Sequence, residues 1–198
     1  RLGRWILLQA ATDVAKLNSR EFGVDRVSVN LSAQHMRSPS IADDVDLALA
    51  ASNLDPSCLE LELTEGTFLD ATQRTLELLS AVRQRGLHFS IDDFGTGYSS
   101  LSYLKQMPIT TVKIDQSFIE DLPRSHEDAA IVRAVITMAH GLGMSVVAEG
   151  VEQAGQIAFL RGLGCDFYQG FYFAKPMPVA ELAEYLKATN RVRNVVGG

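Results

Sequence analysis

The sequence contains few residues of several kinds, and each shortage excludes a class of protein. Only two of its 198 residues are cysteines, Cys58 and Cys165, and their separation matches no zinc-binding or redox motif. We therefore predict two buried thiols in a reducing compartment. No apolar run is long enough to span a bilayer, and a net charge of −6 argues against a protein that coats nucleic acid. These features predict a cytoplasmic protein, or the cytoplasmic part of a membrane-anchored one.

The apolar periodicity switches repeatedly between the repeat of a strand and that of a helix. Strands are predicted over 27–31, 59–64, 88–92, 111–114, 145–149 and 165–168. Helices are predicted over 1–17, 41–52, 70–85, 99–106, 127–141, 152–162 and 179–187, followed by a frayed tail from residue 190. This alternation predicts an α/β protein with a parallel sheet, which is either a doubly wound open sheet or a (β/α)8 barrel.

The composition of the predicted strands favours the barrel. In the second strand, Leu59, Leu61 and Leu63 alternate with Glu60 and Glu62. Strands of an open parallel sheet are covered on both faces and tend to be apolar throughout, whereas a barrel accepts polar side chains at one inner end. The first strand–helix turn also lacks the Gly-x-Gly-x-x-Gly pattern of dinucleotide-binding folds. We therefore expect a barrel.

Polar residues lie at or near the carboxyl ends of the predicted strands. They are Asn30, Glu62, Asp92, Lys113 and Glu149, with Gln169 directly after the last strand. In a barrel these ends converge on the mouth where active sites are built. Gathered carboxylates destabilise a fold unless cations neutralise them, and oxygen ligands suit Mg²⁺ or Mn²⁺. Two such ions sharing a carboxylate would suit phosphodiester cleavage.

Two adjacent carboxylates, Asp92 and Asp93, precede a loop that contains Gly95 and Gly97. Like charges raise each other's pKa unless a cation lies between them, so the pair could mark a metal site. Taken alone, it fits a solvated surface turn equally well. The position of Asp92 in the predicted barrel mouth favours the metal site.

Six motifs along the chain, taken together, are specific. They are Val29-Asn30-Leu31-Ser32, Glu62-Leu63-Thr64-Glu65, the loop from Asp92 to Ser100, Val112-Lys113-Ile114-Asp115, Ala148-Glu149-Gly150-Val151-Glu152, and Gln169-Gly170 leading to Lys175-Pro176. In this order they resemble the EAL domain, the family of cyclic-di-GMP phosphodiesterases. The resemblance extends from Leu2 to about Lys187, which is almost the whole chain.

The resemblance implies a modified (β/α)8 barrel that hydrolyses cyclic-di-GMP to 5′-pGpG with two Mg²⁺ or Mn²⁺ ions. It implies that Asn30, Glu62 and Asp92 ligate one ion and that Asp92, Asp93 and Glu149 ligate the other. Lys113 would hold the attacking water, and Glu149, Glu152 and Gln169 would also serve catalysis. Gln169 and Pro176 would bind the substrate.

The resemblance further implies a second set of roles around the loop after Asp93. Glu65 would stabilise this loop, and the loop with its following helix would form a homodimer surface. The parent protein would carry sensor or GGDEF-type domains in addition to this one.

One departure from the family pattern is large, because the Glu-Ala-Leu motif is not in this sequence. We expect residues 1–198 to be an EAL-type phosphodiesterase domain that lacks its first strands. Hydrolysis by this chain would then be weak or absent, whereas the full-length protein would be active. Two alternatives stay open: a receptor that binds cyclic-di-GMP without cleaving it, and a structural half-barrel completed by a second copy.

A few other side chains are predicted to have structural or solvated positions. Trp5 would pack on the apolar face of the first helix, and Glu60 would make structural hydrogen bonds. His35, His126 and His140 would be solvated.

Overall fold

In a computed structural model of the protein, we describe residues 2–19, 22–69, 72–97 and 104–196. The strands of this part are β1 (Val27–Asn30), β2 (Leu59–Thr64), β3 (His88–Phe94), β4 (Thr111–Ile114), β5 (Ser145–Ala148) and β6 (Phe167–Tyr168). The helices are α1 (Leu2–Asn18), α2 (Ala33–Met36), α3 (Ile41–Ser52), α4 (Glu65–Leu69), α5 (Gln73–Arg83), α6 (His126–Gly141), α7 (Ala154–Gly162) and α8 (Val179–Val196). Short 3₁₀ turns cover Pro56–Cys58 and Gln116–Phe118.

The strands form one parallel sheet in the order β1-β2-β3-β4-β5-β6. Each described strand therefore lies beside the next one in the chain, without the reversal of strand order that defines a doubly wound sheet. The prediction of an α/β protein built on barrel-type topology is confirmed. As a consequence, the carboxyl ends of all these strands lie along the same edge of the sheet.

One strand is irregular close to its carboxyl end. Ile91 pairs with Val112 and Phe94 pairs with Ile114, so three steps along β3 correspond to two along β4. The extra residue is a β-bulge, which bends a strand and redirects its side chains. Asp93 lies inside this bulge with a φ of 55°, in the left-handed region that residues other than glycine adopt infrequently.

The helix predictions for α1, α3, α6 and α7 hold to within two residues, and those for α5 and α8 differ at one end. The helix expected over 70–85 begins at Gln73, because the Thr72 side chain accepts a hydrogen bond from the N–H of Thr75 and caps it. A separate helix, α4, follows β2 directly. The tail expected to fray is helical as far as Val196. The helix predicted over 99–106 lies mostly outside the described residues.

The core lies between the apolar face of the sheet and the helices that cover it. Its largest fully buried side chains include Leu61, Phe89 and Ile91 on neighbouring strands. Within the described ranges, no helix combines the length and the apolar character needed to cross a membrane. Both cysteine thiols are free, with Cys165 buried and Cys58 half-buried.

The prediction for α1 was wrong for Trp5, in the first turns of the helix, and right for Val14 near its end. Leu7, Ala11 and Val14 are buried, whereas Trp5 is 60% exposed and does not pack in the core as expected. The first turns of α1 are apolar nearly all round, so periodicity alone could not distinguish the buried face. Packing against α3 decides it.

Histidine 35 is also not solvated as predicted. Its Nε2 lies 2.9 Å from Oδ2 of Asp44, whose Oδ1 accepts a 2.6 Å hydrogen bond from Arg4. Asp44 is buried, and a buried carboxylate requires such partners. The contact depends on how α1, α2 and α3 pack together, which the local sequence does not show.

Candidate active site

The site is centred on Lys113, a buried side chain near the end of β4. Its Nζ lies 2.8 Å from Oε1 of Glu62, 2.9 Å from Oδ1 of Asp92 and 2.7 Å from Oε1 of Glu149. Three strands and the residue that follows β5 bring these groups together. The sheet ladder continues one step beyond β5, where the N–H of Glu149 donates to the carbonyl of Ile114.

Three anions hold the Lys113 ammonium in its charged form. Burial by itself lowers the pKa of this group, but hydrogen bonds to Glu149, Glu62 and Asp92 outweigh burial and raise the pKa above its usual range. Lys113 is only 5% exposed, so it provides a fixed positive charge at the carboxyl edge of the sheet.

A group of carboxylates lies beside this ion cluster. Asp92, Asp93 and Glu149 each offer one oxygen, and these oxygens all lie within 4.8 Å of one another. Two consecutive residues of a regular strand would point to opposite faces. The bulge in β3 and the left-handed backbone of Asp93 allow both aspartates to contribute.

The charges in this group are not fully compensated. Burial raises the pKa of Asp93, and the neighbouring carboxylates Asp92 and Asp115 raise it further. Burial likewise raises the pKa of Glu149 despite its contact with Lys113. A divalent cation would relieve this repulsion, and an all-oxygen donor set suits Mg²⁺, Mn²⁺ or Ca²⁺. The residues therefore fit a divalent metal ion.

The structure brings four of the five predicted metal ligands into this region, and the fifth, Asn30, lies beside Glu62 on the neighbouring strand. Glu62 joins Asp92 and Glu149 through their shared contact with Lys113, and Asp93 lies in the carboxylate group. Asn30 pairs in register with Glu62 but is exposed. It lines a different cavity of about 460 Å³, together with residues such as Arg4 and His35.

A cavity of about 290 Å³ opens next to the carboxylates. Its lining includes the predicted residues Asp93, Glu149, Glu152 and Gln169, and also Asp115, Gln116 and Phe171. Gln169 is positioned by the backbone, because its N–H donates to Ala148 and its carbonyl accepts from Val151. Pro176 is exposed and does not line this cavity.

Asp115 was not among the predicted site residues. It lies two positions after Lys113, lines the same cavity as Asp93 and raises the pKa of Asp93. Its Oδ1 also accepts a hydrogen bond from the N–H of Ser117 and so caps the 3₁₀ turn that follows β4. Its place just after β4, in the polar phase of that strand, was the signal that could have identified it.

Glu65 contacts the loop that follows the aspartate pair. It is the first residue of α4 and is 3% exposed. Its Oε2 accepts hydrogen bonds from the N–H groups of Gly95 at 3.1 Å and Gly97 at 3.2 Å. Within the described part of the chain its Oε1 has no partner.

Residues 98–103, which carry most of the predicted dimer surface, lie outside the described ranges.

Glu60 makes the structural hydrogen bonds that its deeper position predicted. It accepts from Arg26 at 2.9 Å, from Ser28 at 3.0 Å and from Thr111 at 3.2 Å. These contacts connect β1, β2 and β4 below the lysine cluster.

Comparison with known proteins identifies relatives over nearly the whole chain. The cyclic di-GMP phosphodiesterase NbdA of Pseudomonas aeruginosa is 43% identical over 188 residues, which are 95% of this chain and 24% of that protein. The bifunctional diguanylate cyclase/cyclic di-GMP phosphodiesterase MucR of the same organism is 40% identical over 92% of this chain and 27% of its own length. The chain thus spans about a quarter of the length of these curated relatives.

Solved structures agree with these sequence matches. The PaMucR phosphodiesterase in complex with c-di-GMP superposes with a TM-score of 0.86 at 41% identity, over 91% of this chain and 73% of that one. Klebsiella pneumoniae BlrP1, in a manganese and cyclic-di-GMP complex, superposes with a TM-score of 0.75 at 30% identity, over 87% of this chain and 45% of that one. Residues 1–176 match the EAL domain family, and the chain therefore belongs to that family.

Proposed function

We propose that the full-length protein hydrolyses cyclic-di-GMP to 5′-pGpG with the help of divalent metal ions. The observation that carries this proposal is the group of Asp92, Asp93 and Glu149 beside the buried ammonium of Lys113. Relatives named as cyclic-di-GMP phosphodiesterases, and complexes that contain this dinucleotide, support the choice of substrate.

The metal ligands in this proposal are Asn30, Glu62, Asp92, Asp93 and Glu149, with Mg²⁺ or Mn²⁺ as the ions. When bound, the ions supply Lewis acidity to the scissile phosphodiester and lower the pKa of water. The manganese complex of BlrP1 supports a divalent ion of this kind. Asp92 contacts Lys113 through Oδ1 and lies in the carboxylate group, which suits a ligand shared by two ions.

The remaining roles belong to groups that line the cavity or border it. The Lys113 ammonium stabilises the negative charge that develops on the phosphoryl oxygens, because it is preorganised and poorly solvated. Glu152 and Gln169 orient the substrate from the cavity wall, and Pro176 forms an outer contact. Glu65 acts through the loop that it holds at Gly95 and Gly97.

We also propose that the protein works as a homodimer through the loop after Asp93 and the helix that follows. The diguanylate cyclase half of MucR supports fusion to a GGDEF-type or sensor domain.

A turnover experiment distinguishes the enzyme from its two alternatives. Full-length protein is incubated with cyclic-di-GMP and Mn²⁺, products are separated by chromatography, and binding is measured in parallel by equilibrium dialysis in EDTA. We expect 5′-pGpG to accumulate. Binding without product would identify a receptor, and neither binding nor product would leave a structural role.

A further inference from the structure

Gln156 is a buried glutamine whose side-chain amide makes four hydrogen bonds. It lies in the first turn of α7 and is 1% exposed. Its Oε1 accepts from the backbone N–H of Glu152 at 2.8 Å and of Gln153 at 2.9 Å. Its Nε2 donates to the carbonyls of Ile119 at 2.9 Å and Glu120 at 3.2 Å.

The two halves of this amide contact different loops of the site. The acceptor half binds the N–H groups of Glu152 and Gln153, in the loop that follows Glu149 and leads from β5 to α7. The donor half holds the segment after β4, downstream of Lys113 and Asp115. One side chain therefore connects the segment that follows Lys113 and Asp115 with the loop that contains Glu149 and Glu152.

Helix capping accounts for only half of these contacts. A glutamine at the third position of a helix commonly accepts from the N–H before the helix, which explains the bonds from Glu152 and Gln153. The donations to Ile119 and Glu120 cap nothing in α7, and they reach 37 and 36 residues back along the chain.

The same two loops also touch at a second point. Gly150 has a φ of 67°, and a Cβ placed there would lie 2.4 Å from Cβ of Gln116. The loops therefore meet without room for a methyl group at a glycine directly after Glu149. Gln156 and Gly150 independently fix the separation of the β4 and β5 loops.

We propose that Gln156 is a positioning residue that sets the distance between the Glu149–Glu152 side of the site and the Lys113–Asp115 side. It touches neither metal nor substrate and acts through the backbone of both loops. This inference rests on the proposed function, because the arrangement it maintains is that of the hydrolytic site. A displacement of about 1 Å at such a site costs about a hundredfold in rate.

Two substitutions in the full-length protein separate positioning from capping. Gln156→Met fills the same volume and removes all four hydrogen bonds. Gln156→Glu keeps the acceptor for Glu152 and Gln153 and removes the donors to Ile119 and Glu120. Thr75→Val is the matched control, because it also removes a buried side-chain hydrogen bond but lies on α5, which carries no site residue.

We expect kcat for both Gln156 variants to fall about 10- to 100-fold, with KM changed less than about threefold, because the residue does not contact substrate. Titration without substrate should show weaker Mn²⁺ binding by a similar factor. Amide exchange at Glu152 and Gln153 should accelerate in Gln156→Met and stay slow in Gln156→Glu. Thr75→Val should match the wild type in kcat and Mn²⁺ affinity.

The possible results distinguish a positioning role of Gln156 from a capping role, and a failure of this proposal from a failure of the proposed function. If Gln156→Glu retains wild-type kcat and Mn²⁺ affinity, the residue only caps α7 and the proposal is overturned. The same holds if Gln156→Met behaves like Thr75→Val. If instead the wild-type protein forms no product, the proposed function fails, and the Mn²⁺ titration still decides whether Gln156 positions the carboxylates.

Discussion

Nζ of Lys113 and Oε1 of Glu149 lie 2.7 Å apart, in a contact between β4 and the residue that follows β5. The same ammonium also contacts Glu62 and Asp92. One positive charge thus stands among three carboxylates where the strands end. The cluster combines a preorganised cation with carboxylates whose charge is not fully compensated and which can therefore bind metal ions. Phosphodiester hydrolysis needs both a fixed positive charge and bound metal ions.

Removing the lysine charge tests how much the carboxylates depend on it. Lys113→Met keeps the volume and leaves Glu62, Asp92 and Glu149 without their shared partner. We expect the free energy of unfolding of the metal-free protein to fall by about 3 kcal/mol, the scale of breaking a buried ion pair, and turnover to fall sharply. Urea unfolding in EDTA and in Mn²⁺ provides the measurement, and Mn²⁺ should restore part of the loss.

Lys16→Met is the control for this change, because Lys16 is exposed on α1, away from the site and from the proposed dimer surface. It should leave stability and turnover unaltered. A Lys113→Met protein as stable in EDTA as the wild type would show that the three carboxylates need no shared cation.

The raised pKa of Asp93 predicts how stability changes with pH. A carboxyl whose pKa is higher in the folded state holds its proton more tightly there than in the unfolded chain. Stability therefore falls as pH rises from the ordinary carboxyl pKa, about 4, through the raised value. Asp93→Asn removes this contribution, so in EDTA its melting temperature should decline less than that of the wild type as pH rises from about 4 to neutrality.

Metal ions should counter the same effect. In saturating Mn²⁺ the wild-type melting temperature should rise most at the higher pH, because the cation binds the ionised carboxylates. If the melting temperatures of the wild type and Asp93→Asn in EDTA changed in parallel with pH, that result would contradict a raised pKa for Asp93.

Removing the Glu65 carboxylate should lower activity although Glu65 is not a metal ligand, because this side chain holds the loop after β3. Glu65→Ala removes the acceptor for Gly95 and Gly97, and we expect kcat to fall about 10- to 100-fold, as for other residues that orient a site indirectly. Glu65→Gln keeps one acceptor oxygen and should recover most of the rate. The measurement is kcat together with Mn²⁺ affinity in the full-length protein.

Glu77→Ala, an exposed glutamate on α5, is the control and should have no effect. Gly97→Ala provides an independent check, since its Cβ would lie 2.8 Å from Oε1 of Glu65. Normal turnover and normal Mn²⁺ affinity in Glu65→Ala would show that the loop does not need this carboxylate.

The features that the sequence predicted well depend on short-range patterns. Alternation of leucine and glutamate in β2 indicated a strand with one polar face, and similar patterns located all six described strands to within about two residues. Because parallel strands share their carboxyl edge, the same patterns predicted that Glu62, Asp92, Lys113 and Glu149 lie together.

The features that it missed depend on contacts between distant segments. The buried face of α1 is decided by α3, and the pairing of His35 with Asp44 needs two helices to meet. Asp93 was predicted beside Asp92, but the β-bulge that lets both contribute was not, because it depends on how β3 pairs with β4. Two of the four hydrogen bonds of Gln156 reach the segment after β4, and the local sequence of α7 does not indicate them.

The most direct test of the central claim is a metal-addition time course. Full-length protein is stripped of metal with EDTA, mixed with cyclic-di-GMP, and then supplied with Mn²⁺, alongside Asp92→Asn and the exposed control Asp46→Asn. We predict no 5′-pGpG before Mn²⁺, rapid formation afterwards in the wild type and in Asp46→Asn, and a rate lower by about 10²–10³-fold in Asp92→Asn. Equal rates with and without Mn²⁺, or substantial turnover by Asp92→Asn, would contradict the account.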